Sequence, residues 1–163
     1  MDSWIVQMNP KYFSMSRDYH VKGDLDWWGI SKFINKIQPE NRVYIWHSRE
    51  YRNSKPAGIY AIGRVISAPP HSEKNQKIID GLKLKERSLF LDENEWIKQT
   101  SKPSLFFQYT DSYIGDPLTV EEIKKAGLGR LHIITYAQQD ICSISLSQAE
   151  ILDKLLKSHT ADP

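Results

Sequence analysis

Short runs of β-branched and aromatic residues, each soon closed by a turn signal, constrain this chain more than any other feature. Trp4-Ile5-Val6-Gln7-Met8 is the first, ended by Asn9-Pro10. RVYIWH (42–47), GIYAIGRVIS (58–67) and SLFFQYTDSYI (104–114) follow, and all three read as strands. RLHIITY (130–136) reads as a strand or an extended segment. Between them lie helix signals. Ile30, Phe33, Ile34 and Ile37 fall at i, i+3, i+4 and i+7, which predicts a helix over about 28–37 with one buried face, ended by Pro39. Thr119 to Glu122 forms a capping box, with Gly127 placed to stop the short helix it starts. Ser147 to Glu150 reads as a second box, opening a terminal helix whose face is Ile151, Leu152, Leu155 and Leu156. Residues 68–103 open with Pro69-Pro70 and are charge-rich; they read as a variable excursion with a helix near 75–84. Strands and short helices without a β-α-β rhythm imply an α+β domain, built on a highly curved sheet or open barrel with peripheral helices.

The chain's 163 residues suit one domain with a substantial core. No run approaches the ~18 apolar residues of a membrane span, and MDSWIVQMNPK lacks the basic start of an export signal. An intracellular, cytoplasmic protein is expected. The single cysteine, Cys142, excludes an intramolecular disulfide and any multi-cysteine zinc site, and reads as a small core residue. There is no glycine-rich phosphate loop. His20, His47, His71, His132 and His159 show no metal-ligand spacing. Neither metal nor cofactor is expected. Net charge is +2, unevenly spread: residues 1–67 hold 10 Lys/Arg against 6 Asp/Glu, whereas 68–163 hold 12 against 14. That polarity admits a polyanion on one side, but selectivity for nucleic acid would have to come from a pocket.

The adjacent indoles of GDLDWWGISKF (23–33) raise the question of core against stacking surface. Trp4 and Trp46 alternate with isoleucine in strands and read as core. Asp24 and Asp26, placed before the expected helix, would favour its N-terminal dipole; a general acid or base role is the alternative. His47, at a strand end beside Ser48 and Arg49, has two readings: an imidazole bonded to a backbone carbonyl, or a polar pocket wall.

The order WIVQMNPKYF, DWWGI, RVYIWHS, GIYAIGRVISAPP resembles the EVE domain, a member of the PUA-like superfamily related to YTH modules. SLFFQYTDSYIGDPLTVEEIKK and GRLHIITY fit its second half, so the resemblance spans residues 1–163 and is loosest over 68–103. It implies a non-catalytic module that recognises one modified nucleobase, a modified cytosine or adenine of DNA or RNA, flipped into an aromatic pocket. On this resemblance Trp28 is the stacking wall and Trp27 its alternative. Asn9 and Gln7 address the base edge, His47 and Ser48 border the pocket, and Trp96 supplies a second wall. Arg49, Arg52 and Lys55, in the loop after RVYIWHS, would contact phosphate. The expected state is a monomer, with any effector partner unspecified. The runner-up is an ASCH-like small hydrolase of modified nucleosides, and a protein- or metabolite-binding domain is the third reading. Stacking contributes about 1–3 kcal/mol per base and flipping costs a few. Burying one methyl adds only about 0.8 kcal/mol. Edge hydrogen bonds must therefore select the base.

Overall fold

In a computed structural model of the chain, residues 2–9, 13–49, 54–136 and 139–163 are described. Among them the strand-forming runs assemble one mixed sheet. β1 (Ser3–Met8), β2 (Leu25–Gly29), β3 (Arg42–His47), β4 (Gly58–Ser67), β5 (Ser104–Ser112) and β7 (Ile141–Ile144) lie in the order β2-β5-β4-β3-β1-β7, and the two-residue β6 (Leu118–Thr119) pairs with β4. Only β1 and β3 run parallel, with Trp4 opposite Val43 and Met8 opposite His47; the other pairings are antiparallel. The sheet curls into a half-barrel flanked by short helices.

Both faces are covered, which is why the central strands are almost wholly apolar rather than alternating with polar residues. Trp4, Val6 and Met8 of β1 join Val43 and Ile45 of β3 in one core, whereas Ile5, Tyr44 and Trp46 belong to the other. Trp4 and Trp46 are thus both interior, each 3% exposed, but on opposite faces. Trp4 satisfies its indole N–H on Asn41 Oδ1 at 3.0 Å.

The excursion after β4 folds as α1 (Glu73–Glu86) and α2 (Glu93–Ser101), which pack against β2. Ser72 caps α1 and Asp92 caps α2, each accepting a backbone N–H. The second core is closed by α3 (Val120–Ile123), α4 (His132–Thr135) and α5 (Leu146–Leu156). Thr119 and Glu122 form the expected capping box, but Gly127 does not stop the helix directly: α3 ends at Ile123 and Gly127 takes φ +89° inside the π-helical turn Lys124–Leu128 that follows. The terminal helix starts earlier than predicted: Ser145 and Gln148, not Ser147 and Glu150, form its capping box. The segment 130–136 contains α4, not a strand.

The principal correction concerns residues 25–37. Trp27 and Trp28 lie in β2, paired with Phe106 and Leu105 of β5, so no helix opens there. Residues 31–37 form turns in which Phe33 takes φ +63°. The apolar positions that mimic a helical stripe are still inward: Ile30 and Ile37 are buried, and Phe33 and Ile34 pack on the first core. Across the gap between the two edge strands, side chains rather than a ladder make the connection. Ser31 Oγ donates to Asp140 at 2.9 Å, Lys102 pairs with the same carboxylate at 3.2 Å, and Lys32 donates to Gln139 at 2.8 Å.

Candidate nucleic-acid interface

The ends of the parallel pair β1 and β3 bring Met8 and His47 side by side, with Asn9 and Ser48 next along each strand. Asn9 is exposed and Ser48 half-buried. Beside them is a recess lined by Ser14, Met15, His47, Lys55, Tyr60 and Ile114. Its volume of about 10 Å³ is room for roughly one water. Larger occupants require the rim to move, and Met15 and Lys55 are the unbranched side chains that can do so by changing rotamers.

His47 is the polar centre of this recess. It is 5% exposed, its ring lies against Tyr60 at 4.8 Å, and its Nε2 is buried without a partner among the described residues. Burial above all, with the charges of His20 and then Lys55 adding to it, pushes the imidazole down to about 3. At neutral pH it is uncharged, and Nε2 can donate or accept. An unsatisfied buried nitrogen of this kind costs free energy unless something binds it. His47 thus lines the recess from the end of β3. Tyr60, Ser14, Met15 and Ile114 escaped the sequence analysis. Tyr60 had a signal: it lies two residues beyond Gly58, which pairs with His47, so the period of a strand brings it to the same face. Gly58 itself has no room for a side chain, since a Cβ would meet Leu118 O at 2.1 Å.

The other predicted residues are distributed as follows. Lys55 lines the recess and Arg49 is exposed after Ser48; Arg52 lies outside the described residues. Gln7 is half-buried, and its amide donates to the Gln139 carbonyl at 3.0 Å. The indoles are not on the surface. Trp27 and Trp28 are 1% and 3% exposed. Trp28 packs edge-on to Phe13 at 5.1 Å and parallel to Phe90 at 6.0 Å, so a base would have to displace a phenylalanine to stack on it. Trp96, on α2, is half-buried under the Arg87 guanidinium at 4.5 Å, and Arg87 is paired with Glu93.

A second polar centre lies within the first core. Asp26 is fully buried in β2 rather than capping a helix, and with His20 and Glu86 it forms a cluster whose ligand atoms lie within 4.8 Å of one another. His20 Nε2 is 2.8 Å from Glu86 and 3.5 Å from Asp26, and Tyr109 OH donates to Asp26. The trio looks like a metal site, but the hydrogen bonding argues otherwise. The Ser16 backbone N–H donates to His20 Nδ1 at 2.8 Å, which puts the ring proton of neutral His20 on Nε2, the nitrogen facing the carboxylates. That nitrogen donates to Glu86 and has no lone pair for a metal. Burial first, and Glu86 second, raise Asp26 well above the usual carboxylate range, while burial raises Glu86 to about 7. A shared proton explains two carboxyl groups tolerated there together. Glu86 also lines a surface cleft of about 240 Å³ with Tyr19, Asp24 and Lys85.

No curated protein matches the chain. Among solved structures, human THYN1 protein in complex with 5-methylcytosine-containing DNA is similar at TM-score 0.58 and 12% identity, covering 98% of this chain and 100% of that one. Rpa0253 from Rhodopseudomonas palustris is similar at TM-score 0.59 and 16% identity, covering 95% and 92%. ASCH from Zymomonas mobilis is similar at TM-score 0.54 and 12% identity, covering 94% of each. At these identities the likeness concerns the fold. The sequence itself matches the EVE domain over residues 2–155, and the chain belongs to the EVE domain family.

Proposed function

We propose that this domain is a reader of modified nucleobases that takes one base, a cytosine or an adenine of DNA or RNA, into the recess at the ends of β1 and β3. The observation that carries the reading is His47, which lines the recess together with the exposed cation Lys55 and whose Nε2 is buried without a partner among the described residues. Support comes also from family membership and from the likeness to THYN1, whose structure holds 5-methylcytosine-containing DNA. In this reading His47 bonds the base edge and Asn9 and Ser48 approach it from the strand ends. Met15 and Ile114 give the modification an apolar surround, and Lys55, Arg49 and Arg52 contact phosphate. Trp28 and Trp27 act as the packed wall behind Phe13.

The test is a low-salt titration of short single- and double-stranded DNA and RNA carrying 5-methylcytosine, 5-hydroxymethylcytosine, N4-methylcytosine or N6-methyladenine, beside unmodified controls. One modified base is expected to bind more tightly. His47→Phe keeps the ring contact with Tyr60 and removes the nitrogen, so affinity should fall by roughly tenfold, as for a base edge left unsatisfied. Equal binding of modified and plain strands, unaffected by His47→Phe, overturns the proposal. A hydrolase reading draws on the ASCH likeness and on Glu86, poised near neutrality beside a cleft. Release of a product from an acylated or alkylated nucleoside, lost in Glu86→Gln, would favour it.

A further inference from the structure

The end of the chain is fastened to both walls of the recess through one carboxylate. Asp162 is nearly buried, its side chain 4% exposed. Its Oδ2 accepts from Ser112 Oγ at 2.9 Å and from the Ile114 backbone N–H at 2.6 Å, and its Oδ1 accepts from the Gly115 N–H at 3.2 Å. The same Oδ1 pairs with the Arg17 guanidinium at 3.1 Å. Its own backbone N–H donates to Ser112 O at 2.7 Å. Three of these side-chain contacts hold the turn after β5 that presents Ile114. The fourth holds Arg17, two residues beyond Met15, in the segment that presents Ser14 and Met15. The preceding tail residues reinforce the first wall: Thr160 N–H donates to Asp116 at 2.7 Å, and His159 bridges Asp116 and Glu122 at 3.1 and 2.8 Å.

We propose that Asp162 is a positioning residue for the recess, setting the separation of its Ile114 wall from its Ser14–Met15 wall. The inference rests on the reading of that recess as the base site. Several charge-assisted hydrogen bonds converging on a carboxylate out of water form a stiff joint. A cap on a single turn would need no contact with Arg17. Because Asp162 touches no occupant of the recess, it acts on affinity only through the geometry of the two walls.

The experiment compares wild type, Asp162→Ala and the milder Asp162→Asn by amide hydrogen exchange, thermal unfolding and titration with the preferred modified oligonucleotide well below the unfolding temperature. In Asp162→Ala the amides of Ile114 and Gly115 should lose protection at least tenfold. Those of Ser14 and Ser16, which donate to Leu89 O and His20 Nδ1 and not to Asp162, should lose it with them. Affinity should drop at least fivefold, with partial rescue in Asp162→Asn. Loss of protection confined to Ile114 and Gly115, or a lowered unfolding temperature with unchanged affinity, overturns the proposal and leaves Asp162 a local structural cap. If wild type binds none of the oligonucleotides, the base-site reading fails instead, and the exchange at Ser14 and Ser16 still decides whether Asp162 joins the walls.

Discussion

Glu86 and Asp26 set the clearest residue-level expectation. Burial raises Glu86 from 4.5 to about 7, and Asp26 is raised by burial and by Glu86. The folded state therefore holds protons that the unfolded chain has released. Its stabilisation is complete below the unfolded pKa and is lost as pH rises through about 7. For Glu86 alone the shift corresponds to something on the order of 3 kcal/mol. His20 and His47 are lowered by burial and pull the other way, but only on the acid side of their ordinary 6.5. His159 acts in the same sense as Glu86: desolvation pulls it down, yet its bonds to Glu122 and Asp116 leave it raised. Between pH 6.5 and 8 the melting temperature should accordingly fall. Glu86→Gln, whose amide oxygen can still accept from His20 Nε2, should flatten most of that decline. A wild-type melting temperature constant across this window would refute the protonated-cluster account.

At the scale of elements, β2 explains both what the sequence disclosed and what it hid. The β-rich runs were legible because β-branched and aromatic residues fit a pleated sheet, and all four predicted strands of the first 114 residues are present. WWGISKF was not, for two physical reasons. A strand covered on both faces loses the alternation that identifies it, and α1 and α2 pack against β2 so that adjacent indoles are both buried. The turn after it happens to repeat isoleucine and phenylalanine at helical spacing. His47 was legible as a site candidate because it ends a strand beside polar residues. The convergence of His20, Asp26 and Glu86 was not, since 60 residues of chain separate partners that only the packing of α1 on the sheet unites. The same packing sets the test for Trp28, which is buried against Phe13 and Phe90. Trp28→Ala should lower stability by about 3–5 kcal/mol, as for other buried aromatics, read as an earlier midpoint in denaturant. An unchanged midpoint with lost oligonucleotide binding would return Trp28 to the role of stacking wall.

For the whole molecule, charge distribution and recess position bear together on how much of a nucleic acid the proposed reader would hold. Lys55 and Arg49, the described cations of the proposed phosphate set, both come from the basic first 67 residues, whereas the remainder of the chain is net negative. A protein of net charge +2 with Lys55 the one cation lining the recess among the described residues should touch few phosphates, and so depend on the base rather than the backbone for affinity. Counterion release makes this measurable. Each phosphate neutralised on a single strand contributes about 0.7 to the slope of log affinity against log salt. Two or three contacts predict a total slope of roughly −1.4 to −2.1. Lys55→Ala should reduce it by about 0.7 while leaving the preference among modified bases unchanged. A slope several times steeper would mean that the strand follows an extended basic track, and that the flipped-base recess is not the main source of affinity.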